Sequence, residues 1–244
     1  LDNIDVAYAT SQNILVTNIP DYCIDEVVDH ALALLLGLSR NVAFHYMKTK
    51  QGVYDLRAGH PMRRLAGQTL GILGFGRTGQ LLREKAMGLG LKVIAHSASG
   101  NDRGTGCEMV SQEELFRRSD FLSLHAPLTP QTKHLVNAQT LAMMKPHAII
   151  INTARGPLID HDALCKALET NQIGGAGLDV FEPEPPNLAD PLYSHPRLIA
   201  TPHIAFISDE SLINLRERTA KQVVDVLQNR TPENVINPQV LQKR

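Results

Sequence analysis

The sequence lacks any apolar run long enough to cross a bilayer. The longest, around Ala31 to Leu38, is flanked by Asp29, His30 and Arg40, whereas a spanning helix needs about 20 apolar residues. It also lacks a charge bias, since 24 basic and 25 acidic side chains leave a formal net charge of −1. Without a basic patch there is no electrostatic footprint for nucleic acid or anionic lipid. The three cysteines, Cys23, Cys107 and Cys165, are too few and too scattered for a disulfide framework or metal-ligand spacing, which points to a reducing, cytoplasmic setting. The ten histidines contain no HxH or HExxH pair, so no metal is expected. No GxSxG elbow occurs, which counts against Ser/His/Asp hydrolysis. The expected partner is a small molecule, with no nucleic acid and no membrane. Neither an initiator methionine nor a signal core opens the sequence, and its beginning is expected to have been lost.

Hydrophobic residues make up 43% of the 244, enough for one large core or two smaller ones. Strands are predicted at Thr69–Leu73, Lys92–Ala95, Phe121–Leu124, Ala148–Asn152, Ala176–Phe181 and Leu198–Ala200. Helical patterns separate them at Thr78–Leu89, Gln112–Arg118 and Asp160–Thr170. Short apolar strands alternating with helices imply a doubly wound parallel sheet, an α/β domain of the Rossmann kind. Ahead of it, NILVTN (Asn13 to Asn18) predicts a short strand, and a long helix runs through ALALLLGL to Leu38. A helix apolar on every side is buried within a monomer or across an oligomer interface, and this one points to a homodimer. Gly59 to Leu65 reads as a loop, Ser208 to Asn229 as a helix, and the remaining residues as an extended tail.

Gly74-Phe75-Gly76-Arg77-Thr78-Gly79 lies between the first of those strands and its helix. In a GxGxxG turn so placed, the first glycine permits the bend, the second lets a pyrophosphate approach the backbone, and the third allows helix and strand to touch. Amides at the helix start then face the phosphates. The acid that grips the adenine ribose belongs roughly 20 residues on, where this chain has Ser97. A serine does not repel a 2′-phosphate, and the nearby Ser99, Asn101 and Arg103 offer donors and charge for one. NADP is therefore favoured over NAD, unless Asp102 folds back to replace the missing acid.

Three later segments, INTARGPLID, GAGLDVFEPEPP and ATPHIAF, are more specific. With the glycine turn, and in this order, they resemble the D-isomer-specific 2-hydroxyacid dehydrogenase family, from LDNID to VINPQV. TNIPDYCIDEVVDHALALLLGLSR and PHIAFISDE are similar to its phosphoglycerate dehydrogenase-like branch, related to the C-terminal binding proteins. The resemblance implies an NAD(P)-dependent oxidoreductase interconverting 2-oxo acids and D-2-hydroxy acids. It implies three catalytic residues: Arg155 for the substrate carboxylate, His203 for the proton, and Glu184 paired with His203. A planar guanidinium suits a carboxylate beside a ketone, which its charge polarises, and an imidazole suits protonation of the developing alkoxide. Formate dehydrogenases carry glutamine at the Glu184 position, so that branch is disfavoured. Arg77, Thr78, Pro127, Thr132, Thr153 and Ala154 are implied to contact the cofactor, and Asp179 to meet the nicotinamide carboxamide.

The same resemblance divides the chain into residues 1–22, a remnant of a flavodoxin-like substrate domain; 23–206, the dinucleotide-binding domain; and 207–244, returning to the substrate domain. Family members carry a substrate-domain segment ahead of LDNID, so the sequence is expected to be part of a longer enzyme. A dinucleotide-sensing corepressor scaffold shares the fold and stays open as an alternative, although Phe206 replaces a tryptophan of that group.

Overall fold

The computed structural model describes residues 3–243; Leu1 and Asp2 of the LDNID stretch, and Arg244, lie outside the described residues. The chain divides into a larger unit, Val27–Ala205, and a smaller one made of Leu1–Glu26 with Phe206–Arg244.

In the larger unit, β1 (Thr69–Leu73), β2 (Lys92–His96), β3 (Glu108–Met109), β4 (Phe121–Leu124), β5 (Ile149–Asn152), β6 (Gly175–Leu178) and β7 (Leu198–Ala200) form one sheet. Its order is β3-β2-β1-β4-β5-β6-β7. Every pairing is parallel, with Gly71 beside Ile94, Ile72 beside Ser123, Leu124 beside Asn152 and Leu178 beside Ala200. A parallel strand covered on both faces needs apolar side chains at successive positions. TLGIL, FLSL and IIIN supply them, and Leu70, Ile72, Leu122, Leu124, Ile150 and Ile151 are fully buried, each burial stabilising by about 2 kcal/mol.

Helices lie on both faces. On one, Leu82 and Ala86 of α4 (Arg77–Gly88) join Val28, Ala31, Leu34 and Leu35 of a helix spanning Ile24–Ser39 against Leu70 and Ile72. On the other, α5 (Gln112–Arg118), α6 (Ala138–Leu141) and α7 (His161–Glu169) set Leu115, Phe116, Leu141, Leu164 and Leu168 against Leu122, Leu124 and Ile150. This is the doubly wound Rossmann arrangement expected from the sequence. The Ile24–Ser39 helix is α2, and its all-round apolar character is answered inside the core, where Leu32, Leu36 and Leu38 also pack. A run of exposed apolar side chains lies instead on α3 (Val42–Lys50) and beyond it: Tyr46 and Met47 are exposed, and Tyr54 and Leu56 are 88% and 83% exposed. Residues 51–68 form neither helix nor strand.

Other expectations are corrected. The strand predicted to reach Phe181 ends at Leu178, because Asp179 turns its carboxylate inward. Asn13–Asn18 forms no strand, only a single antiparallel bridge between Thr17 and Val235. The buried Asn237 takes over its backbone groups, with Oδ1 accepting from Val16 N (2.8 Å) and Nδ2 donating to Ile14 O (2.9 Å). The tail is not extended, since Pro238–Lys243 winds into a 3-10 turn with Val240 buried. The smaller unit also holds α1 (Val6–Ser11) and α8 (Asp209–Leu227), the latter started by the Ser208 hydroxyl accepting from Ser211 N (2.9 Å). Among the described residues no single helix is long and apolar enough to cross a membrane.

Candidate active site

All strands of a parallel sheet end on the same side, so residues scattered from Gly74 to His203 emerge along one edge. After β1, Gly74 adopts φ +96° and donates its N–H to His96 O (2.8 Å). A Cβ there would lie 2.5 Å from Ala126 N, and one on Gly79 would lie 2.5 Å from Gly74 O. Both glycines therefore permit backbone contact. Gly76 differs: a Cβ there would meet nothing within 4 Å. α4 starts from Gly76 with no side-chain cap and no acid in its first turn, which holds Arg77 and Thr78. Its first N–H groups and positive dipole end make an anion seat.

Ser97 follows β2, its Oγ 3.3 Å from Ser99 Oγ. Arg103 sits at φ +58° and donates its N–H to Asn101 Oδ1 (2.7 Å). Asp102 caps its own loop, accepting from Gly104 N (3.2 Å) and Gly106 N (2.9 Å). After β4, the Thr132 hydroxyl donates to Pro127 O (2.7 Å), tying the two predicted residues of that loop together.

After β5 the buried Asn152 pins the next turn: Nδ2 donates to Arg155 O (2.8 Å) and Oδ1 accepts from Ala154 N (3.0 Å). Thr153 Oγ1 is buried with no hydrogen-bond partner. Arg155 is exposed and donates from Nη1 to Ala154 O (2.7 Å). A Cβ on Gly156 would lie 2.1 Å from the Phe181 carbonyl carbon, so the arginine turn is pressed against the loop after β6. Within that loop Phe181 N donates to Glu184 Oε1 (2.8 Å), and Glu184 Oε2 meets His203 Nδ1 at 2.7 Å.

His203 adopts φ +54° and donates its N–H to Thr201 O (3.0 Å). Asp179, fully buried, holds the segment: Oδ1 accepts from Thr201 Oγ1 (2.6 Å) and Ile204 N (3.0 Å), and Oδ2 from Ala205 N (2.8 Å). His30 on α2 completes the cluster, with Nε2 2.9 Å from Thr201 Oγ1 and 3.5 Å from Asp179 Oδ1.

The structure thus joins Glu184 directly to His203 and reaches Arg155 through Gly156 and Phe181. It also brings in His30, Asn152, Gly156 and Thr201, which sequence reasoning missed. Asn152 had a legible signal, a polar residue closing the apolar run IIIN; His30 had a similar one, within an apolar helix. The strand order reverses between β1 and β4, where open α/β sheets bind their ligands. At the opposite ends of the strands, a cavity of about 430 Å³ is lined by His60, His147 and Arg197. Arg197 spends its guanidinium there on the carbonyls of Ile173 and Leu168.

The residues at the carboxyl edge fit a dinucleotide. Gly76 leaves space, the α4 amides have no side-chain cap, and the Thr153 hydroxyl is buried and unpartnered. A doubly wound sheet with that opening, and an imidazole–carboxylate pair farther along the same edge, defines a nicotinamide-dependent dehydrogenase.

The chain belongs to the D-isomer specific 2-hydroxyacid dehydrogenase family, residues 32–205 matching its NAD binding domain. Glyoxylate reductase of Thermococcus litoralis is 39% identical over 249 residues, covering 98% of this chain and 75% of the relative. The crystal structure of D-lactate dehydrogenase from Aquifex aeolicus complexed with NAD and lactic acid superposes with a TM-score of 0.89 at 32% identity, covering 97% of this chain and 77% of that one. An acyclic imino acid reductase (Bsp5) in complex with NADPH and D-Arg gives a TM-score of 0.88 at 31% identity, covering 97% and 75%. The protein is a nicotinamide-linked oxidoreductase that moves hydride between 2-oxo and 2-hydroxy acids.

Proposed function

We propose that this chain reduces a small 2-oxo acid of the glyoxylate type, with Arg155, Glu184 and His203 as its catalytic residues. The 2.7 Å contact between Glu184 Oε2 and His203 Nδ1 carries this reading. With Nδ1 committed to the carboxylate, Nε2 is the nitrogen that exchanges a proton with substrate, and Glu184 fixes ring orientation. Arg155 binds the substrate carboxylate in bidentate fashion and polarises the adjacent carbonyl. The bound nicotinamide supplies the hydride. Gly74, Gly76, Arg77, Thr78 and Gly79 cradle the pyrophosphate, Thr153 and Ala154 border the nicotinamide, and Pro127 with Thr132 closes the side above β4. Asp179, expected to meet the nicotinamide carboxamide, is buried with its oxygens accepting from Thr201, Ile204 and Ala205, and shapes this edge from beneath through the loop that carries His203.

NADPH is the preferred reductant. Ser97 puts no carboxylate beside the ribose, and Asp102 is held by Gly104 and Gly106 of its own turn. Arg103, in the same loop after β2, supplies the cation for a 2′-phosphate. The smaller unit is part of the substrate domain. It carries an apolar groove of about 650 Å³ between Ile14, Leu15 and Ile19 and the α8 residues Leu215, Val223 and Val226. A second copy of the chain covers the exposed Tyr46, Met47, Tyr54 and Leu56 in a two-fold homodimer, and the three free cysteines suit a cytoplasmic protein.

The deciding experiment measures kcat and KM for glyoxylate, with NADPH and NADH, in the wild type and Glu184→Gln. Expected are turnover by the wild type and a kcat roughly 10- to 100-fold lower in the variant, with KM little changed. Nucleotide binding without turnover on any 2-oxo acid would overturn the enzymatic reading and favour a dinucleotide-sensing scaffold.

A further inference from the structure

Away from the edge just described, α7 opens at His161, capped by Asp160, whose Oδ1 accepts from Ala163 N (3.1 Å). One helical turn on, Cys165 lies on the same face as His161, with Sγ 3.8 Å from His161 Nε2. The third member comes from the loop before β7. Asp190 starts the 3-10 turn Pro191–Ser194 with Oδ1 accepting from Leu192 N (2.9 Å), and this bond aims Oδ2 at His161 Nε2, 3.0 Å away. The three ligand atoms all lie within 4.8 Å of one another.

We propose that His161, Cys165 and Asp190 form a site for a divalent zinc-type ion, clipping the loop before β7 to α7. One imidazole, one thiolate and one carboxylate are the borderline donors that Zn²⁺ takes. With Zn–N and Zn–O near 2.0–2.1 Å and Zn–S near 2.3 Å, tetrahedral donors stand roughly 3.3–3.6 Å apart. The 3.0 and 3.8 Å separations are a few tenths of an ångström from that. All three residues are partly exposed, which gives an ion a way in and leaves the fourth position to water.

The local field agrees. The carboxylates of Asp190, Glu169 and Asp162 act on the Cys165 sulfur, and these charges attract a cation. On binding, the S–H bond breaks, the metal–sulfur bond forms, and the proton leaves to solvent. No oxidant or reductant is needed. The clip has a route to the active edge. Tyr193, in the turn Asp190 caps, packs edge-on against Phe181 with ring centroids 5.6 Å apart, and Phe181 N holds Glu184. Sequence spacing hid the site because no cysteine pair is involved and Asp190 comes from a separate loop.

The test titrates chelator-treated protein with Zn²⁺ by calorimetry, and with Co²⁺ as a spectroscopic stand-in. One equivalent should bind with Kd below roughly 10 µM, releasing a proton and raising the unfolding midpoint. Cobalt should show thiolate-to-metal charge transfer. Cys165→Ser and His161→Ala should weaken binding by at least roughly thirtyfold, while Cys23→Ser and Cys107→Ser bind as the wild type does. Circular dichroism and nucleotide binding would show that the variants are folded. No saturable binding below about 100 µM, affinity unchanged in folded Cys165→Ser, or a cobalt band lost only with another cysteine would overturn the proposal.

Discussion

The Thr201 hydroxyl donates to Asp179 Oδ1 across 2.6 Å, and the same carboxylate receives the N–H groups of Ile204 and Ala205. Asp179 therefore grips the segment on both sides of His203, through the Thr201 side chain before it and two backbone N–H groups after it, without touching the ring through any of these bonds. His30 stands behind this grip from α2. A buried carboxylate so placed is stable because donors surround it; its amide counterpart would set N–H groups against N–H groups.

Asp179→Asn should accordingly lower the folding free energy by roughly 2 kcal/mol and the unfolding midpoint by roughly 5 °C. It should also lower kcat more than it raises KM. Thermal unfolding and steady-state kinetics check both effects. Thr201→Ser, which keeps the hydroxyl, should retain most of the activity.

Two glycines should separate binding from packing. A Cβ on Gly76 meets nothing within 4 Å, whereas one on Gly156 would sit 2.1 Å from the Phe181 backbone. Gly76→Ala should leave the unfolding midpoint of nucleotide-free protein almost unchanged while weakening nucleotide binding at least roughly tenfold, because it crowds the pyrophosphate approach. Gly156→Ala should displace the Glu184 loop, lowering both stability and kcat. Calorimetric nucleotide titration and thermal melts read the difference.

Ser97→Asp should convert cofactor choice. A carboxylate at the end of β2 accepts from ribose hydroxyls and repels a 2′-phosphate. The ratio of kcat/KM for NADPH to that for NADH should fall by at least roughly tenfold, and a wild-type preference for NADH of that size would defeat the phosphate reading.

Acid should destabilise the protein through His125. Desolvation at the end of β4 pushes its pKa down to about 4, and Ser123 Oγ lies 2.8 Å from Nε2. An unfolded histidine titrates near about 6.5. Between those values the unfolded chain binds the extra proton, so this contribution is fully present above about pH 6.5 and is lost as pH falls toward 4. His125→Gln should flatten the fall of the unfolding midpoint across that window in a pH series of melts.

The sheet was legible because burial on both faces writes itself into sequence as short apolar runs; β1, β4 and β7 begin and end where those runs do. The glycine turn was legible for a similar local reason, the strand before it and the helix after it. Partners distant in the chain were not. The bonds of Val16 and Ile14 go to Asn237, more than 220 residues later in the chain, and nothing in NILVTN announces that. α3 lacks a clean apolar stripe and starts from a left-handed Asn41, so periodicity passed it by. Arg155, Glu184 and His203 were singled out through their motifs. The residues that hold them, Asn152, Gly156 and Thr201, act through backbone contacts that exist only after folding.

The smaller unit is stitched from two stretches that flank the larger one, Leu1–Glu26 and Phe206–Arg244, and Asn237 is one of the stitches. On a ribosome, the sheet is available to condense once Ala205 has emerged, while the Val16 amide waits for a side chain made more than 200 residues afterwards. Prior condensation of the intervening stretch spares the entropy of closing so long a flexible loop. Maturation should therefore run from the centre outward, with pulse-labelled hydrogen exchange protecting the Ile72 and Ile150 amides ahead of Val16.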